Sequence, residues 1–403
     1  MNLYLEPGKL TGTLTPPPSK SQAHRLIIAA SLVQGVSHLT NVAVSEDIQA
    51  TLGCMAALGA EVRQNGGEIR GVAPHSATAL PKLDCGESGS TLRFLIPVAL
   101  ALTGGGRFFG RGRLLERPMK PYEELFQEKG VRYEHGPDCI TVEGTLPPGV
   151  YRLPGNVSSQ FITGLLYALP LLEGDSDLEL TTELQSSGYV DMTLDALARF
   201  GVTVERTAAG WHVPGGQQYA PCDCAVESDY SQAANFLVAN SLGASIQLEG
   251  LNPNSTQGDR VILAYVRRLD GPGEVTLDVS QCPDLVPPLA LRAALREGEV
   301  THIVGAARLR MKESDRLDTV TIELNNLGGH VTQGPDSLTI QGRSYLYGGV
   351  TDSHNDHRIA MMLGIAATRC LDAVIVCGAE CVAKSYPNFW EDYKRLGGAV
   401  RQR

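Results

Sequence analysis

Apolar runs spaced for a helix end six times in a glycine, and each is followed by a β-branched stretch that reads as a strand. The instances are M-A-A-L-G-A-E-V at Gly59, F-Q-E-K-G-V-R-Y at Gly130, L-A-R-F-G-V-T-V at Gly201, V-R-R-L-D-G-P-G-E-V at Gly271, L-N-N-L-G-G-H-V at Gly328 and Y-K-R-L-G-G-A-V at Gly397. Each glycine is read as the left-handed residue that ends a helix. Helix–glycine–strand is common α/β punctuation, but successive glycines lie 71, 71, 70, 57 and 69 residues apart, which points to a repeat. Units of about 70 residues exceed a simple solenoid repeat. Three could close around one core, so three plus three predicts two similar domains. The division is expected between Gly201 and Gly271, beside the loop-rich P-G-G-Q-Q-Y-A-P-C-D-C. Strand signals such as A-S-I-Q-L-E and A-V-I-V-C alternate with helical segments, giving an α/β (α+β) class with mixed sheets.

Length agrees, since 403 residues exceed what one hydrophobic core usually supports. With 43% hydrophobic and 19% charged residues the composition is that of a soluble globular protein. A net charge of −10 and the lack of a basic run argue against nucleic acid as a partner. The opening M-N-L-Y-L-E-P-G shows no signal-peptide pattern. The most apolar run, Phe161 to Leu172, contains Thr163, Gly164 and Pro170 and is too short to span a membrane. Nine cysteines include no C-x-x-C pair, and the spacing of Cys222 and Cys224 suits neither zinc nor a redox pair. Reduced thiols in a cytoplasmic protein are expected.

Candidate chemistry lies in short polar motifs. Lys20, Arg25, Arg117, Lys312, Arg316, Arg358 and Lys384 are scattered through an acidic chain, which must concentrate cations locally to hold a polyanion. In P-P-P-S-K-S-Q-A-H-R the prolines exclude helix before Ser19, and Leu26, Ile27, Ala30 and Leu32 suggest helix after it. Ser19 or Ser21 would cap that helix and place Lys20 beside free N–H groups, an anion site or simply a capped helix. The loop D-C-G-E-S-G-S-T-L-R before an apolar helix is not a Walker A motif, because no lysine follows its second glycine. It is either a plain turn or a backbone cradle for an anion. Ser158, Ser159 and Gln160 open another helix with neutral donors and acceptors, and G-x-S-x-G is absent there, against a hydrolase nucleophile.

In R-L-R-M-K-E-S-D-R-L, Lys312 and Arg316 are read as i and i+4 on one helix, with Glu313 pointing elsewhere; a solvated charged face is the plainer alternative. D-S-H-N-D-H-R gathers Asp356, His357 and Arg358 at a helix mouth, where Asp or Asn can cap. A metal held by His354 and His357 with Asp352 or Asp356 is disfavoured by the crowding cations, and no metal is expected. Asp284, between the prolines of Q-C-P-D-L-V-P-P-L, is either a cap or an aspartate kept ionised by cations and able to act as a base.

Together S-K-S-Q-A-H-R, G-E-S-G-S-T-L-R, E-R-P-M, S-S-Q-F, S-S-G-Y, C-P-D, R-M-K-E-S-D-R-L, N-D-H-R-I-A-M and V-A-K-S-Y-P, in this order from residue 19 to 387, resemble the 5-enolpyruvylshikimate-3-phosphate synthase family. The resemblance implies two inverse α/β-barrel domains of three βαβαββ repeats each, joined by a double-crossing hinge. It divides the chain into residues 1–13 with 226–403, and residues 14–225. It implies transfer of the enolpyruvyl group of phosphoenolpyruvate to the 5-hydroxyl of shikimate 3-phosphate with release of phosphate, on the way to chorismate and the aromatic amino acids. No cofactor is implied, and a monomer is expected.

Carried over by motif, Lys20, Ser21, Arg25, Ser158, Ser159, Gln160, Ser186, Asp284, Arg308 and Lys312 fall on the shikimate 3-phosphate side, with Tyr189 beside them. Lys20, Gly89, Arg117, Gln160, Arg316, Arg358 and Lys384 fall on the phosphoenolpyruvate side. Asp284 is implied as proton acceptor for the hydroxyl and Glu313 as proton donor to the methylene carbon. Two positions depart from the family: Glu87 stands where Asn is frequent, and Arg308 where an Asn helps bind phosphate. Retention of Gly89 leads us to expect inhibition by glyphosate. The related transferase acting on UDP-N-acetylglucosamine uses a loop cysteine that R-L-L-E-R-P-M lacks. A non-catalytic phosphoanion binder would leave Asp284 and Glu313 without a purpose.

Overall fold

The computed structural model describes residues 1–75 and 77–402. Its contacts group the chain into two compact units, Met1–Ser19 with Ser228–Arg403 (the first unit) and Lys20–Glu227 (the second). The chain therefore passes between units twice. The helices of the second unit are α1 (Lys20–Ser31), α2 (Glu46–Ala57), α3 (Gly89–Thr103), α4 (Lys120–Glu128), α5 (Ser159–Ala168) and α6 (Ser187–Arg199). Those of the first are α7 (Tyr230–Ser241), α8 (Ile262–Asp270), α9 (Val286–Ala294), α10 (Arg316–Asn326), α11 (His357–Ala367) and α12 (Phe389–Arg395).

One sheet shows the repeat. Gly149–Leu153 runs parallel to Ser176–Leu180, and that strand pairs antiparallel with Gly210–Val213, which returns from Glu205–Arg206. Helices α5 and α6 make the two crossovers. Among the described residues, five four-stranded sheets have this order and a sixth sheet has two strands. Two of the four-stranded sheets are completed by distant chain: Leu3–Leu5 is the return strand for Val400–Gln402, and Cys224–Ala225 is the first strand beside Val36–Thr40.

The glycine pattern explains both the rule and its exception. Gly59, Gly130, Gly201, Gly328 and Gly397 all have positive φ. After each, the next amide donates back to the fifth residue before it, as in Ala60 to Met55 and Val202 to Leu197, the bonding that closes a helix end. A hairpin follows each of the first four, while after Gly397 the strand Val400–Gln402 pairs with the distant Leu3–Leu5 instead. Gly271 departs, with φ −79° and an extended backbone, because Pro272 excludes helical conformations from the residue before it; Gly273 takes the positive φ instead. No hairpin follows. The chain goes straight into Val275–Asp278, the first strand of the next sheet, and this accounts for the short interval of 57 residues. Buried Arg296 closes the open end, donating to the carbonyls of Leu269 (2.9 Å), Gly271 (2.9 Å) and Gly273 (2.8 Å) and to the Thr301 hydroxyl (2.7 Å).

Helices, not sheets, make the interior of each unit. Apart from Ser90 and Ala101, every residue of α3 is buried, and in α5 only Gln160 escapes burial. Every residue of α11 is buried. Helix α3 packs on α5, while α7, α9 and α11 pack on one another. Strands such as Cys139–Glu143 bury alternate residues, as expected of a sheet with one face on the core. The apolar clusters fall separately, from Ala23 to Val226 in one unit and from Leu3 to Leu396 in the other. The core helices α3, α5, α7 and α11 thus open with polar residues and continue as buried apolar runs, which sets the motifs at helix N-termini.

Candidate active site

In the second unit, α1 starts at Lys20, directly after Ser19. Lys20 Nζ lies 2.7 Å from Asp47 Oδ2 on α2. Arg25, one turn on, is 2% exposed. It donates to the Thr193 hydroxyl (2.9 Å) and to the carbonyls of Ser21 (2.7 Å) and Tyr189 (2.8 Å), and its guanidinium lies over Phe94 and Tyr189. These partners are neutral, so the charge is held in place without being cancelled; burial lowers its pKa to about 10. Burial, then Lys20 and Arg25, hold His24 well below the usual imidazole value, so it is neutral and adds no cation.

Ser158 caps α5 by accepting from the Gln160 amide (3.3 Å), which leaves Ser159 at the first helical position. Ser186 sits in the left-handed region (φ 58°) ahead of α6 and does not cap it, a conformation that costs a non-glycine residue about 1–3 kcal/mol. Gly89 opens α3. A Cβ there would stand 2.8 Å from Arg117 Nη1, 3.2 Å from Arg93 Nη1 and 3.5 Å from Gln160 Oε1, so only glycine lets these groups meet at the helix N-terminus. Glu87 turns toward the backbone at Gly112, where a Cβ would meet its carboxyl at 2.8 Å. It lines a cavity of about 570 Å³ together with Lys82, Asp84 and Arg111.

In the first unit, Asp284 occupies the short 3-10 turn Pro283–Leu285 ahead of α9. Its Oδ1 accepts from Arg316 Nη1 (2.9 Å) and Lys312 Nζ (3.3 Å), and its Oδ2 from Arg358 Nη2 (2.8 Å). Burial pushes the carboxyl pKa up, but Arg358, Lys312 and Arg316 outweigh it and hold Asp284 well below the usual carboxylate range. Arg316 is 1% exposed and also binds Asp356 Oδ2 (2.7 Å) and Glu313 Oε2 (2.7 Å). Three carboxylates outweigh its burial and hold it firmly cationic. Burial lowers Lys312 below the usual lysine value despite Asp284. Asp356 caps α11 by accepting from the Arg358 amide (2.9 Å). Lys384 Nζ donates to the carbonyl of Asn355 (2.7 Å), and Arg308 Nη2 to that of Ser280.

Two expectations are corrected here. Lys312 and Arg316 do not share a helix face: Lys312 has an extended backbone after the 3-10 turn Ala307–Met311. Asp315 caps α10, so Arg316 is its first residue. Nor does Glu313 point elsewhere, since the non-helical, bent Lys312–Asp315 link turns it onto Arg316. His354 Nε2 lies 2.7 Å from Glu323, and among the described residues no group of three or more His, Cys, Asp or Glu could hold a metal. No helix among them is long and apolar enough to cross a membrane.

Sequence reasoning missed three members. Arg93 lies in the quoted G-S-T-L-R, where it reads as an ordinary helix residue. Asp47 is an ordinary first-turn acid of α2 until the fold sets it against Lys20. Asp259 is 3% exposed and accepts from the Ser231 hydroxyl. Burial and then Asp284 raise its pKa to about 6. Nothing local in Q-G-D-R distinguishes it from a surface acid.

The EPSP synthase (3-phosphoshikimate 1-carboxyvinyltransferase) family model matches residues 5–393. A 3-phosphoshikimate 1-carboxyvinyltransferase of Clostridium kluyveri is 45% identical over 98% of this chain and 97% of its own length. One from Clostridium beijerinckii is 44% identical over 98% of each. An EPSP synthase structure from Acinetobacter baumannii superposes with a TM-score of 0.80 at 28% identity, covering the whole of both chains. The ordered motifs, the buried cation clusters and these full-length matches lead to one conclusion: the chain belongs to the EPSP synthase (3-phosphoshikimate 1-carboxyvinyltransferase) family.

Proposed function

We propose that this chain transfers the enolpyruvyl group of phosphoenolpyruvate to the 5-hydroxyl of shikimate 3-phosphate, releasing phosphate. The observation that carries the reading is the cluster in which Asp284 meets Arg316, Arg358 and Lys312 while Arg316 also holds Glu313. Such a cluster offers cations to anionic substrates and two carboxyl groups to move protons.

In this reading Lys20, Ser21, Arg25, Ser158, Ser159, Gln160, Ser186, Arg308 and Lys312 bind shikimate 3-phosphate, with Tyr189 supporting Arg25. Gly89, Arg117, Gln160, Arg316, Arg358 and Lys384 bind phosphoenolpyruvate, and Lys20 serves both. Arginines suit carboxylate and phosphate because they bind them bidentately. Substrate anions that draw on Arg316 leave Glu313 free to take up a proton; Glu313 then gives that proton to the methylene carbon, and positive charge develops at C2. The 5-hydroxyl adds there as its proton passes to Asp284. The tetrahedral ketal phosphate then collapses: a proton of the new methyl group returns to the Glu313 carboxylate, the C2–C3 double bond re-forms, and the C2–O bond to phosphate breaks. Asp284 is a weak base while three cations hold it. Substrate anions that draw on Arg316 and Arg358 weaken that field and raise its pKa. The cations neutralise the phosphates, so the reading needs no metal or cofactor.

A cytoplasmic enzyme fits the nine free cysteines, and a monomer is proposed with it. The reading is tested with Asp284→Asn and Glu313→Gln, each assayed for turnover and, by calorimetry, for phosphoenolpyruvate binding. Loss of turnover with binding kept supports a transferase. Unchanged turnover in both variants would refute the assigned roles.

A further inference from the structure

The reactive cluster of the first unit leaves unexplained why a second arginine, Arg93, reaches the N-terminus of α3. Arg93 is 7% exposed and lies one turn after Gly89 on the same helix face. Its Nη1 donates to Gln160 Oε1 at 2.7 Å, and Gln160 Nε2 donates in turn to the Ser90 hydroxyl at 3.0 Å. The Gln160 amide is thereby fixed. Reversing it would set its NH2 against a guanidinium, two donors with no acceptor between them. The other end of the guanidinium donates to the carbonyl of Pro118 at 3.2 Å, next in sequence to Arg117, and the group lies 5.2 Å from the centre of the Phe161 ring.

The helices are built to allow this. A Cβ at Gly164 would overlap the Tyr122 hydroxyl and the Arg93 carbonyl oxygen, so glycine brings α5 close against α3. That same hydroxyl lies 2.9 Å from the carbonyls of both Arg93 and Phe161, tying the two helices at this level. Gln160 is one turn before Gly164 on the same face of α5. One arginine thus braces a glutamine on α5 and the loop that carries Arg117, both beside Gly89.

We propose that Arg93 is a positioning residue for phosphoenolpyruvate, acting through Gln160 and the Arg117 loop. The inference rests on the transferase reading, in which Gln160 and Arg117 bind that substrate.

The experiment is a double-mutant cycle on the full chain with Arg93→Gln, Gln160→Ala and the pair, reading KM for phosphoenolpyruvate and kcat separately. Loss of a charge-assisted hydrogen bond predicts a rise in KM of roughly 10- to 100-fold for Arg93→Gln, with a smaller change in kcat. The double variant is expected to be no worse than the poorer single one, and Arg93→Lys, which keeps charge and one donor, to recover part of the loss. A KM within about twofold of wild type, or effects that multiply in the double variant, would overturn the proposal. Should Arg93→Gln not fold, Ser90→Ala removes the other anchor of the amide, and an unchanged KM there overturns it equally. If the unsubstituted enzyme releases no phosphate, the transferase reading fails. The cycle is then read from phosphoenolpyruvate binding by calorimetry, where additivity still defeats the coupling.

Discussion

Arg316 and Asp284 meet at 2.9 Å, an ion pair between the first residue of α10 and the turn ahead of α9. Arg316 also carries Asp356 and Glu313, so one buried guanidinium contacts three carboxyl groups. Arg316→Leu would leave Asp356 and Glu313 without this partner in a low-dielectric site, while Asp284 keeps Arg358 and Lys312. We expect a loss of about 3–5 kcal/mol, read by denaturant unfolding, together with loss of phosphoenolpyruvate binding. A variant as stable as wild type would mean that the cluster relaxes into water.

The same cluster predicts two opposite pH effects. Asp284 and Asp356 have depressed pKa values. The stability they contribute is present above about pH 4, their unfolded value, and is lost as pH falls from there through their folded values. Asp259, raised to about 6, does the reverse. Its stabilising proton is fully bound below about pH 4 and is lost as pH rises through about 6. Asp259→Asn should therefore remove a downward step between about pH 4 and 6 and stabilise the neutral protein by up to about 3 kcal/mol. Parallel stability profiles for variant and wild type, measured by denaturant titration across that range, would refute this.

At Gly89 the close approach of Arg117 and Arg93 predicts the effect of a single methyl group. Gly89→Ala displaces the ends of two flexible side chains, so the fold should lose less than about 1 kcal/mol, while KM for phosphoenolpyruvate rises about tenfold or more. An unchanged KM would place the substrate away from this helix end. With glycine retained, the unsubstituted enzyme should be inhibited by glyphosate, and an inhibition curve flat into the millimolar range would contradict that.

Arg296 provides a contrast, because it serves the fold alone. It satisfies three carbonyls where the hairpin is missing. Arg296→Met should leave them unpaired and cost about 3 kcal/mol or more, with KM for both substrates unchanged in the folded fraction. Changed KM values with normal stability would reverse that assignment.

The parts legible in the sequence were those with a local cause. Gly59 and its counterparts mark helix ends because positive φ is written in a single residue. Ser158 and Asp356 announce helix starts by capping chemistry, and Lys20 follows prolines that exclude helix before it; apolar runs lie behind all three. Gly271 does end α8, but not in the left-handed conformation read for it, and the proline beside it held the contrary signal. Contacts across elements were not legible. Asp259 against Asp284, Asp47 against Lys20 and Arg93 against Gln160 depend on how helices pack, and nothing within four residues of any of them specifies the partner. The placement of Glu313 failed because a helical i, i+4 rule was applied to a non-helical link.

The most direct measurement is phosphate release from phosphoenolpyruvate without added metal, with shikimate 3-phosphate or UDP-N-acetylglucosamine as acceptor. The account predicts release with shikimate 3-phosphate alone. Release only with the nucleotide sugar, or none with either acceptor despite tight binding of shikimate 3-phosphate, would contradict it.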